Sequence, residues 1–291
     1  MGRCPHAPAG RRSGRGSPGR RRPAGAGQVQ GEERVKVLIT GGASGLGKAI
    51  ATRYAKSGAQ VLITDVNAEA GKEVAAELGT DFLQHDVRST AEWNLVLHWV
   101  TEHWGSLDIL VNNAGVAAAG FIEETSEEDW DWIIDINLKG VVHGCRTFTP
   151  LLRAQKSGHI VNIASLAALM LLPSMSAYNA TKIAVLGLSE TLRTELEADN
   201  VKVTVVCPNF FPTNLPNSMR APNEAYIKRT RSFMKHTTLT AESVAETIFE
   251  SVRKGKFKVL TDRQAKISYA VKTWLPWVYR AQLRKHVKRA S

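Results

Sequence analysis

A short apolar strand followed by a glycine-rich turn is the feature that most constrains this chain. Within residues 35–39, all but Lys36 form a short apolar run rich in β-branched residues, typical of a strand buried on both faces of a parallel sheet. Residues 40–47 read Thr-Gly-Gly-Ala-Ser-Gly-Leu-Gly, and residues 48–56 have the pattern of an amphipathic helix. Glycines let the backbone approach a ligand closely, and the N–H groups that open a helix attract an anion. The stretch predicts a dinucleotide pyrophosphate site, although an ordinary glycine-rich turn would look the same in isolation.

Strands and helices alternate with short connections after this turn. Strands are predicted at residues 35–39, 61–64, 81–85, 107–111, 160–164, 201–206 and 257–260, and helices at 48–56, 68–78, 90–104, 126–156, 177–198 and 240–253. This regular alternation predicts an α/β fold, a Rossmann-type doubly wound parallel sheet in a single domain. Residues 207–238 contain four prolines and are predicted to be an irregular, mobile lid over the substrate.

Charge is distributed unevenly along the 291 residues. The whole chain carries +11, but residues 1–31 hold seven Arg and no acid, and residues 253–291 hold twelve Lys or Arg against Asp262 alone. The intervening residues are therefore acidic, at −7. An acidic body with basic ends is not the pattern of a nucleic-acid-binding domain, so no nucleic-acid partner is predicted. The charge pattern is compatible with contact between the basic ends and anionic surfaces.

The two ends divide the chain into three predicted segments. Residues 1–33 are predicted to be a disordered basic extension, because they lack large apolar side chains. An organelle presequence, a nucleic-acid-binding arm and a true start of translation near Val35 are the alternatives for this segment. Residues 34–262 are predicted to form the folded Rossmann-type domain.

Residues 263–291 form a basic amphipathic tail. Ile267, Val271, Trp274 and Val278 share one helical face, and Pro276 is predicted to kink or break the helix. A segment of this kind lies on an anionic bilayer surface, or packs on its own domain or on a neighbouring subunit. The sequence leaves these alternatives open.

Cysteine usage and hydropathy bear on the compartment. Cys4, Cys145 and Cys207 are widely spaced and show no metal-ligand pattern, so no metal site is predicted. The sequence has neither an 18-residue apolar run nor the apolar core of a secretory signal. The predicted location is cytoplasmic, with peripheral membrane contact left open.

Three side chains in the second half of the chain indicate proton chemistry. Ser165 follows the predicted strand 160–164, at the edge of the sheet where ligands bind. Tyr178 and Lys182 lie four residues apart, on one face of a helix. An ammonium near a phenol favours the phenolate and is expected to lower the pKa of Tyr178. Tyr178 is therefore a candidate proton donor or acceptor, although a Tyr–Lys pair alone is more often a surface pair.

Taken together, these motifs resemble the short-chain dehydrogenase/reductase family in its standard form, over roughly residues 34–262. The matching pieces are the glycine-rich turn, Asn113-Ala114-Gly115, Asn137, Ser165, and Tyr178 with Lys182. The resemblance implies that Tyr178 is the acid/base, that Ser165 orients the substrate oxygen, that Lys182 holds the nicotinamide ribose, and that Asn137 holds a relay water. It also implies cofactor contacts from Gly41, Ser44, Gly45, Leu46, Gly47, Asp65, Asp86, Val87, Asn113, Ala114, Gly115, Tyr178, Lys182, Pro208 and Thr213.

Asp65 bears on the choice of cofactor. It ends the second predicted strand, where a carboxylate accepts hydrogen bonds from both adenosine ribose hydroxyls and repels a 2′-phosphate. Ser44 and Val66, which would receive that phosphate, are not basic. NAD(H) is therefore favoured over NADP(H). The family usually has Pro-Gly after the sixth strand, whereas this chain has Pro208-Asn209, and Asn tolerates unusual backbone angles.

The apolar residues around the catalytic set indicate the substrate. They are Met170, Leu171, Leu172, Met175, Phe210, Phe211 and Leu215. With the basic aromatic tail, they favour a lipophilic alcohol or carbonyl compound, such as a steroid, a retinoid, or a long-chain or acyl alcohol. The leading hypothesis is an NAD(H)-dependent oxidoreductase that interconverts an alcohol and its ketone or aldehyde. A non-catalytic dinucleotide-sensing protein is the alternative, and the resemblance implies a homodimer or homotetramer.

Overall fold

Seven parallel strands form one sheet at the centre of the protein. The computed structural model describes residues 34–235 and 237–287, with side chains described up to residue 284. The predicted basic extension, residues 1–33 with Cys4, lies outside the described residues. The strands are β1 Lys36–Thr40, β2 Gln60–Asp65, β3 Asp81–Gln84, β4 Ile109–Asn112, β5 Gly158–Ile163, β6 Val201–Cys207 and β7 Lys258–Leu260. Their order in the sheet is β3-β2-β1-β4-β5-β6-β7.

Helices cover both faces of this sheet. They are α1 Gly45–Lys56, α2 Ala68–Leu78, α3 Thr90–Trp104, α4 Glu127–Ile134, α5 Gly140–Gln155, α6 Ala167–Met170, α7 Ser176–Glu195, α8 Glu224–Lys235, α9 Ala241–Arg253, α10 Arg263–Trp274 and α11 Pro276–Val287. Alternate residues of β1 enter different cores: Leu38 packs with Trp93 and Phe148, whereas Val37 and Ile39 pack with α1 and α9. Because successive side chains of a strand point to opposite faces, a strand buried on both sides is apolar throughout. The predicted single-domain Rossmann-type fold is confirmed.

The predicted helix over residues 126–156 is interrupted. The Ser126 hydroxyl caps α4 by accepting a hydrogen bond from the Asp129 N–H at 3.1 Å, as the sequence indicates. A short π-helix, Asp135–Lys139, then separates α4 from α5. Wide turns of this kind inside α-helices are frequent at functional sites.

The prediction that residues 207–238 are irregular is wrong for their second half. Residues 224–235 form α8, preceded by a 3₁₀ turn at Leu215–Asn217. Helix α8 is mostly polar and buries only Thr230 and Met234, but Tyr226, Ile227, Phe233 and Met234 recur at helical spacing, so the sequence does contain a signal for this helix. The closing of this segment over a substrate stays a prediction.

The C-terminal helices α10 and α11 pack on α6. Ala265 of α10 is fully buried and Tyr279 of α11 is buried in the same core cluster. Ile267 and Trp274, on the helical face predicted from the sequence, are 52% and 81% exposed, so this face does not pack on its own domain. Pro276 separates the two helices as predicted and opens α11. Among the described residues, no helix is both long enough and apolar enough to cross a membrane.

Candidate active site

One cleft of about 1320 Å³ lies along the carboxyl ends of the strands. It extends from the loop after β3, past the glycine-rich turn, to the segment that follows β6. All catalytic and cofactor-binding residues predicted from the sequence line this cleft except Asn137, which is fully buried. The topology therefore brings together side chains that are up to 172 residues apart in the chain, from Gly41 to Thr213.

The glycine-rich turn closes so tightly that it requires glycine. Gly41 and Gly45 adopt φ values of +65° and +51°, in the left-handed region that side chains disfavour. A Cβ added to Gly47 would lie 2.0 Å from the Gly41 carbonyl oxygen. The first turn of α1 can therefore approach β1 only because position 47 has no side chain.

Thr40 and Asn113 lock this turn to the end of β4. The Thr40 hydroxyl oxygen accepts hydrogen bonds from the Asn113 and Ala114 N–H groups, both at 3.0 Å. The Asn113 side-chain amide donates to the carbonyl oxygens of Thr40 and Gly41, at 2.9 and 3.1 Å. Asn113 therefore fixes the backbone on both sides of the glycine-rich end of the cleft.

The start of α1 fits a dinucleotide pyrophosphate. Ser44 is the N-cap residue of α1, and its side chain makes no capping hydrogen bond with the described residues. The N–H groups of the first turn consequently face the cleft without a side-chain acceptor, which is the arrangement that binds phosphate oxygens. Gly45, Leu46 and Gly47 line the same part of the cleft.

Asp65 lies beside this turn at the end of β2. One carboxylate oxygen accepts a hydrogen bond from the Ala43 N–H at 3.1 Å, and the other accepts one from the Asn67 N–H at 3.0 Å. The carboxylate is thus held in place with further lone pairs available toward the cleft. The adjacent Val66 is 59% exposed and adds no charge.

Arg88 and His85 line the cleft beside Asp86, at the end formed by the loop after β3, and the sequence did not single out these two residues. The Arg88 guanidinium binds both oxygens of Asp86, at 2.6 to 3.0 Å, and this lowers the pKa of Asp86. His85 lies against the edge of Trp93, and burial lowers its pKa to about 4. Because Arg88 is two residues from Asp86 in an ordinary loop, no sequence pattern distinguished it.

Ser165, Tyr178 and Lys182 come together at the centre of the cleft. Ser165 follows β5, and its hydroxyl oxygen accepts a hydrogen bond from the Ala167 N–H at 3.1 Å. Ser165 and Tyr178 line the same part of the cleft. Lys182 lies one turn further along α7, with its Nζ 5.8 Å from the centre of the Tyr178 ring. The Lys182 ammonium donates to the Ile163 carbonyl oxygen at 3.0 Å.

Burial controls the protonation of Tyr178 and Lys182. It raises the pKa of Tyr178, and the neighbouring Ser165 hydroxyl lowers that pKa only in part. It also lowers the pKa of Lys182 to about 8. The expected lowering of the Tyr178 pKa by Lys182 is therefore not present here, because desolvation outweighs a charge at this distance. At neutral pH the site holds a neutral phenol and a cationic lysine.

Asn137 lies just behind the cleft, in the π-helix Asp135–Lys139. Its side-chain oxygen accepts from the Val116 N–H at 2.8 Å, and its side-chain nitrogen donates to the Val116 carbonyl oxygen at 2.9 Å. A Cβ added to Gly115 would lie 3.2 Å from the Asn137 oxygen and 3.4 Å from Lys182 Nζ. Asn137 and Lys182 therefore both face the space beside the Gly115 Cα, and a side chain at position 115 would narrow that space.

Apolar side chains surround the other end of the cleft. Met170, Leu172, Met175, Phe210, Phe211 and Leu215 line it as expected. Leu171 does not, because it ends α6 with φ +54° and its side chain is 40% exposed. Residues of the C-terminal helices line the cleft as well, and the sequence did not indicate them: Gln264, Ser268, Tyr279, Gln282 and Leu283.

Asn209 stands where the family usually has a glycine after proline, and its backbone conformation does not require glycine. It does not adopt a positive φ. Its backbone N–H donates to the Thr261 hydroxyl at 3.3 Å, and its side-chain oxygen accepts from the Phe210 N–H at 2.8 Å. Asn209 therefore ties the segment after β6 to the connection between β7 and α10.

Comparisons with known proteins agree with this geometry. A family model described as "short chain dehydrogenase" matches residues 35–224. "Probable oxidoreductase EphD" of Mycobacterium tuberculosis is 34% identical over 265 residues, which cover 86% of this chain and 45% of that protein. The chain thus spans less than half the length of that relative. The NADP-dependent (R)-specific alcohol dehydrogenase of Lentilactobacillus kefiri is 32% identical over 206 residues, or 68% of this chain and 82% of that protein.

A solved structure extends the likeness to three dimensions. A short-chain dehydrogenase/reductase from Burkholderia phymatum, in complex with NAD, superposes with a TM-score of 0.79. It is 31% identical and covers 83% of this chain and 93% of its own. The chain is therefore a member of the short-chain dehydrogenase/reductase family of oxidoreductases, built on an NAD(P)-binding Rossmann fold.

Proposed function

We propose that the protein interconverts a lipophilic alcohol and its ketone or aldehyde, with NAD(H) as cofactor. The observation that carries the proposal is the meeting of Ser165, Tyr178 and the buried Lys182 in one cleft, with Lys182 Nζ 5.8 Å from the centre of the Tyr178 ring. A bound nicotinamide dinucleotide supplies or accepts the hydride. The chain itself supplies the proton, the orientation of the substrate and the exclusion of water.

In the direction of reduction, Tyr178 acts as the general acid. The substrate carbonyl oxygen accepts hydrogen bonds from the Ser165 and Tyr178 hydroxyls, which fixes the face of the carbonyl and stabilises the negative charge that develops on the oxygen. Tyr178 transfers its proton to that oxygen as the carbonyl carbon gains the hydride, so the product is a neutral alcohol. Burial favours this role, since it raises the pKa of Tyr178 and keeps the phenol protonated.

Lys182 and Asn137 support the proton transfer. The Lys182 charge stabilises the phenolate that Tyr178 leaves behind, and Asn137 with Gly115 borders the route by which a proton returns. In the direction of oxidation the same groups act in reverse, with the Tyr178 phenolate removing the hydroxyl proton.

Asp65 supports NAD(H) as the cofactor. Its carboxylate is fixed by the Ala43 and Asn67 N–H groups, at the place where a ribose 2′-oxygen would lie. A 2′-phosphate there would meet a negative charge, whereas the two hydroxyls of NAD(H) would donate to it. The Lentilactobacillus kefiri relative is NADP-dependent by name, so the preference requires measurement.

The apolar end of the cleft supports a lipophilic substrate. Six apolar side chains line it, and Leu283 of α11 adds a seventh. Steroids, retinoids, long-chain alcohols and acyl alcohols are the classes that bury enough apolar surface to use such a wall.

The decisive experiment measures NADH formation by the full-length chain with NAD⁺ and a panel of these alcohols, beside short polar alcohols. We expect turnover that favours the large apolar alcohols and is lost in Tyr178→Phe, which removes only the hydroxyl. NADH binding, followed by its fluorescence, should persist in that variant. Binding without turnover on any alcohol, or on the matching carbonyls with NADH or NADPH, would favour the dinucleotide-sensing alternative.

Assembly and location stay predictions. The homodimer or homotetramer implied by the resemblance is measured by sedimentation equilibrium of the full-length chain. The predicted cytoplasmic location is measured by fractionation of cells that express it.

A further inference from the structure

We propose that the outer face of the C-terminal helices is a docking surface for anionic phospholipid bilayers. This outer face comprises Ile267, Ala270, Trp274, Leu275, Trp277, Arg280 and Arg284, all of which are exposed. The proposal goes beyond the reaction proposed above and does not depend on it.

The first observation is a concentration of exposed apolar side chains at the corner between α10 and α11. Trp274 and Trp277 are 81% and 71% exposed, and Ile267 and Leu275 are 52% and 44% exposed. Eleven large hydrophobic residues are exposed in the described chain, and four of them fall within residues 267–277. Scattered exposed apolar residues need no explanation, but a cluster containing two Trp marks an interaction site.

The second observation is that the fold holds this face outward. Ala265, Tyr269 and Lys272 lie on the inner stripe of α10, and Lys272 donates a hydrogen bond to the Leu169 carbonyl oxygen. Ile267, Ala270 and Trp274 are three and four residues apart, so they form the opposite stripe. Because the inner stripe is bonded to α6, the Trp side chains cannot turn into the core of the domain.

The third observation is charge. Residues 263–291 contain eight Lys or Arg and no Asp or Glu. On α11, Arg280 and Arg284 follow Trp277 by one and two helical turns, and both are exposed. Trp rings at the depth of the headgroups, with cations on the same surface, match an anionic bilayer. A symmetric contact with a second copy would instead bring two basic faces together.

The position of the outer face relates it to the cleft. Ser268, Tyr279 and Leu283 belong to the same two helices and line the apolar end of the cleft. A bilayer on the outer face would therefore lie one helix layer from that end. If the proposed lipophilic alcohol is correct, its source is the membrane itself, and this step alone rests on the proposed function.

The test is co-sedimentation of the full-length chain with phospholipid vesicles. One set contains phosphatidylcholine alone, and the other contains phosphatidylcholine and phosphatidylserine in equal parts. We expect binding to the anionic vesicles that weakens as salt is added. The double variant Trp274→Ser with Trp277→Ser should bind the anionic vesicles at least about a hundredfold more weakly, because it buries less apolar area in the bilayer. Arg280→Gln/Arg284→Gln should weaken this binding by about thirtyfold, at about 1 kcal/mol for each cation.

Leu95→Ser is the matched control, because Leu95 is 67% exposed on α3 and lies outside the outer face. It should bind vesicles like the unaltered chain. All substituted side chains are exposed, so the thermal unfolding midpoints should coincide. NADH binding should be equal in all variants, which separates this test from that of the proposed function.

Three results would overturn the proposal. The first is no binding to anionic vesicles, and the second is equal binding by the Trp variant and Leu95→Ser. The third is self-association of the unaltered chain that is lost in the Trp variant, because the outer face would then be an interface between subunits.

Discussion

The Tyr279 hydroxyl of α11 donates a hydrogen bond to the Met170 carbonyl oxygen at the end of α6. Met170 is five residues after Ser165, in the segment that leads from β5 to the wall of the cleft. The Lys272 ammonium donates to the neighbouring Leu169 carbonyl oxygen. The C-terminal helices therefore hold the backbone that follows the central serine, and they belong structurally to the cleft.

Removing these donors should loosen the apolar wall. In Tyr279→Phe the buried Met170 carbonyl oxygen loses its partner, which should lower the free energy of unfolding by about 1 to 2 kcal/mol. We expect KM for large apolar substrates to rise more than kcat falls, because Ser165 and Tyr178 remain in place. Urea denaturation and steady-state kinetics measure the two effects.

Tyr269→Phe is the control for that variant. Tyr269 packs on the same core from α10, and its hydroxyl has no hydrogen-bond partner among the described residues. It should leave both the unfolding free energy and KM close to their original values. If Tyr279→Phe behaves like Tyr269→Phe, the contact between α11 and α6 does not shape the cleft.

Two glycines should respond in opposite ways to the same substitution. Gly47→Ala places a methyl group 2.0 Å from the Gly41 carbonyl oxygen, so the glycine-rich turn must open. We expect NADH affinity to fall by at least about tenfold and the unfolding free energy to fall by about 1 to 3 kcal/mol. Fluorescence titration and urea denaturation measure these changes.

Gly187→Ala is the matched comparison inside α7. An added Cβ there meets nothing within 4 Å, and the residue is helical. Because alanine reduces the backbone freedom of the unfolded chain, the unfolding free energy should rise by about 0.5 to 1 kcal/mol. A loss of NADH affinity in Gly187→Ala equal to that in Gly47→Ala would mean that the tight turn is not what the cofactor requires.

The sequence predicts those strands and turns whose residue types directly reflect their own burial or backbone geometry. Strands β1 and β4 to β6 are apolar because both faces are buried, and the glycine-rich turn is defined by positions that tolerate no Cβ. The π-helix at Asp135–Lys139 was missed, because it is associated with a tertiary contact, the paired hydrogen bonds of Asn137 with Val116. The residues next to Asn137 and Val116 in the sequence give no sign that these two will pair.

The C-terminal helices illustrate a second limit. Apolar and aromatic residues occur on both of their faces, so helical periodicity does not distinguish the packed face from the exposed one. The packed face is the one with Tyr279 and Lys272, whose hydrogen bonds to α6 require the tertiary structure. In these helices Trp274 and Trp277 are exposed, whereas the face that packs on α6 carries the hydrogen-bonding groups of Tyr279 and Lys272.

Asp65 should control the choice between NAD(H) and NADP(H). Asp65→Asn keeps an acceptor for one of the two backbone N–H groups but removes the negative charge. We expect the ratio of kcat/KM for NADPH to that for NADH to rise by at least about tenfold, since a charge that repels the 2′-phosphate at close range is lost. Steady-state kinetics with both cofactors measures the ratio.

Glu69→Gln is the control for a general change in charge. Glu69 is exposed on α2, four residues from Asp65, and does not line the cleft. Its replacement should leave the ratio nearly unchanged. An equal ratio in the two variants would assign the preference to a group other than Asp65.

Two buried histidines should make the protein unstable in mild acid. Burial lowers the pKa values of His85 and His159 from 6.5 to about 4. Between these values the unfolded chain binds protons that the folded chain does not, so the free energy of unfolding falls as the pH drops from 6.5 to 4. Each histidine contributes up to about 3 kcal/mol to that loss.

His159 is the better histidine to substitute, because it lies in β5 away from the cleft. The Thr204 hydroxyl donates to the Lys256 carbonyl oxygen at 2.7 Å, so it accepts from His159 Nε2, also at 2.7 Å. In His159→Asn the titrating group is gone, and urea denaturation at pH 7 and at pH 4.5 should show a smaller difference than in the unaltered chain. His98→Asn, an exposed site on α3, should keep the full difference. Equal differences in all three proteins would mean that groups other than His159 cause the loss of stability in acid.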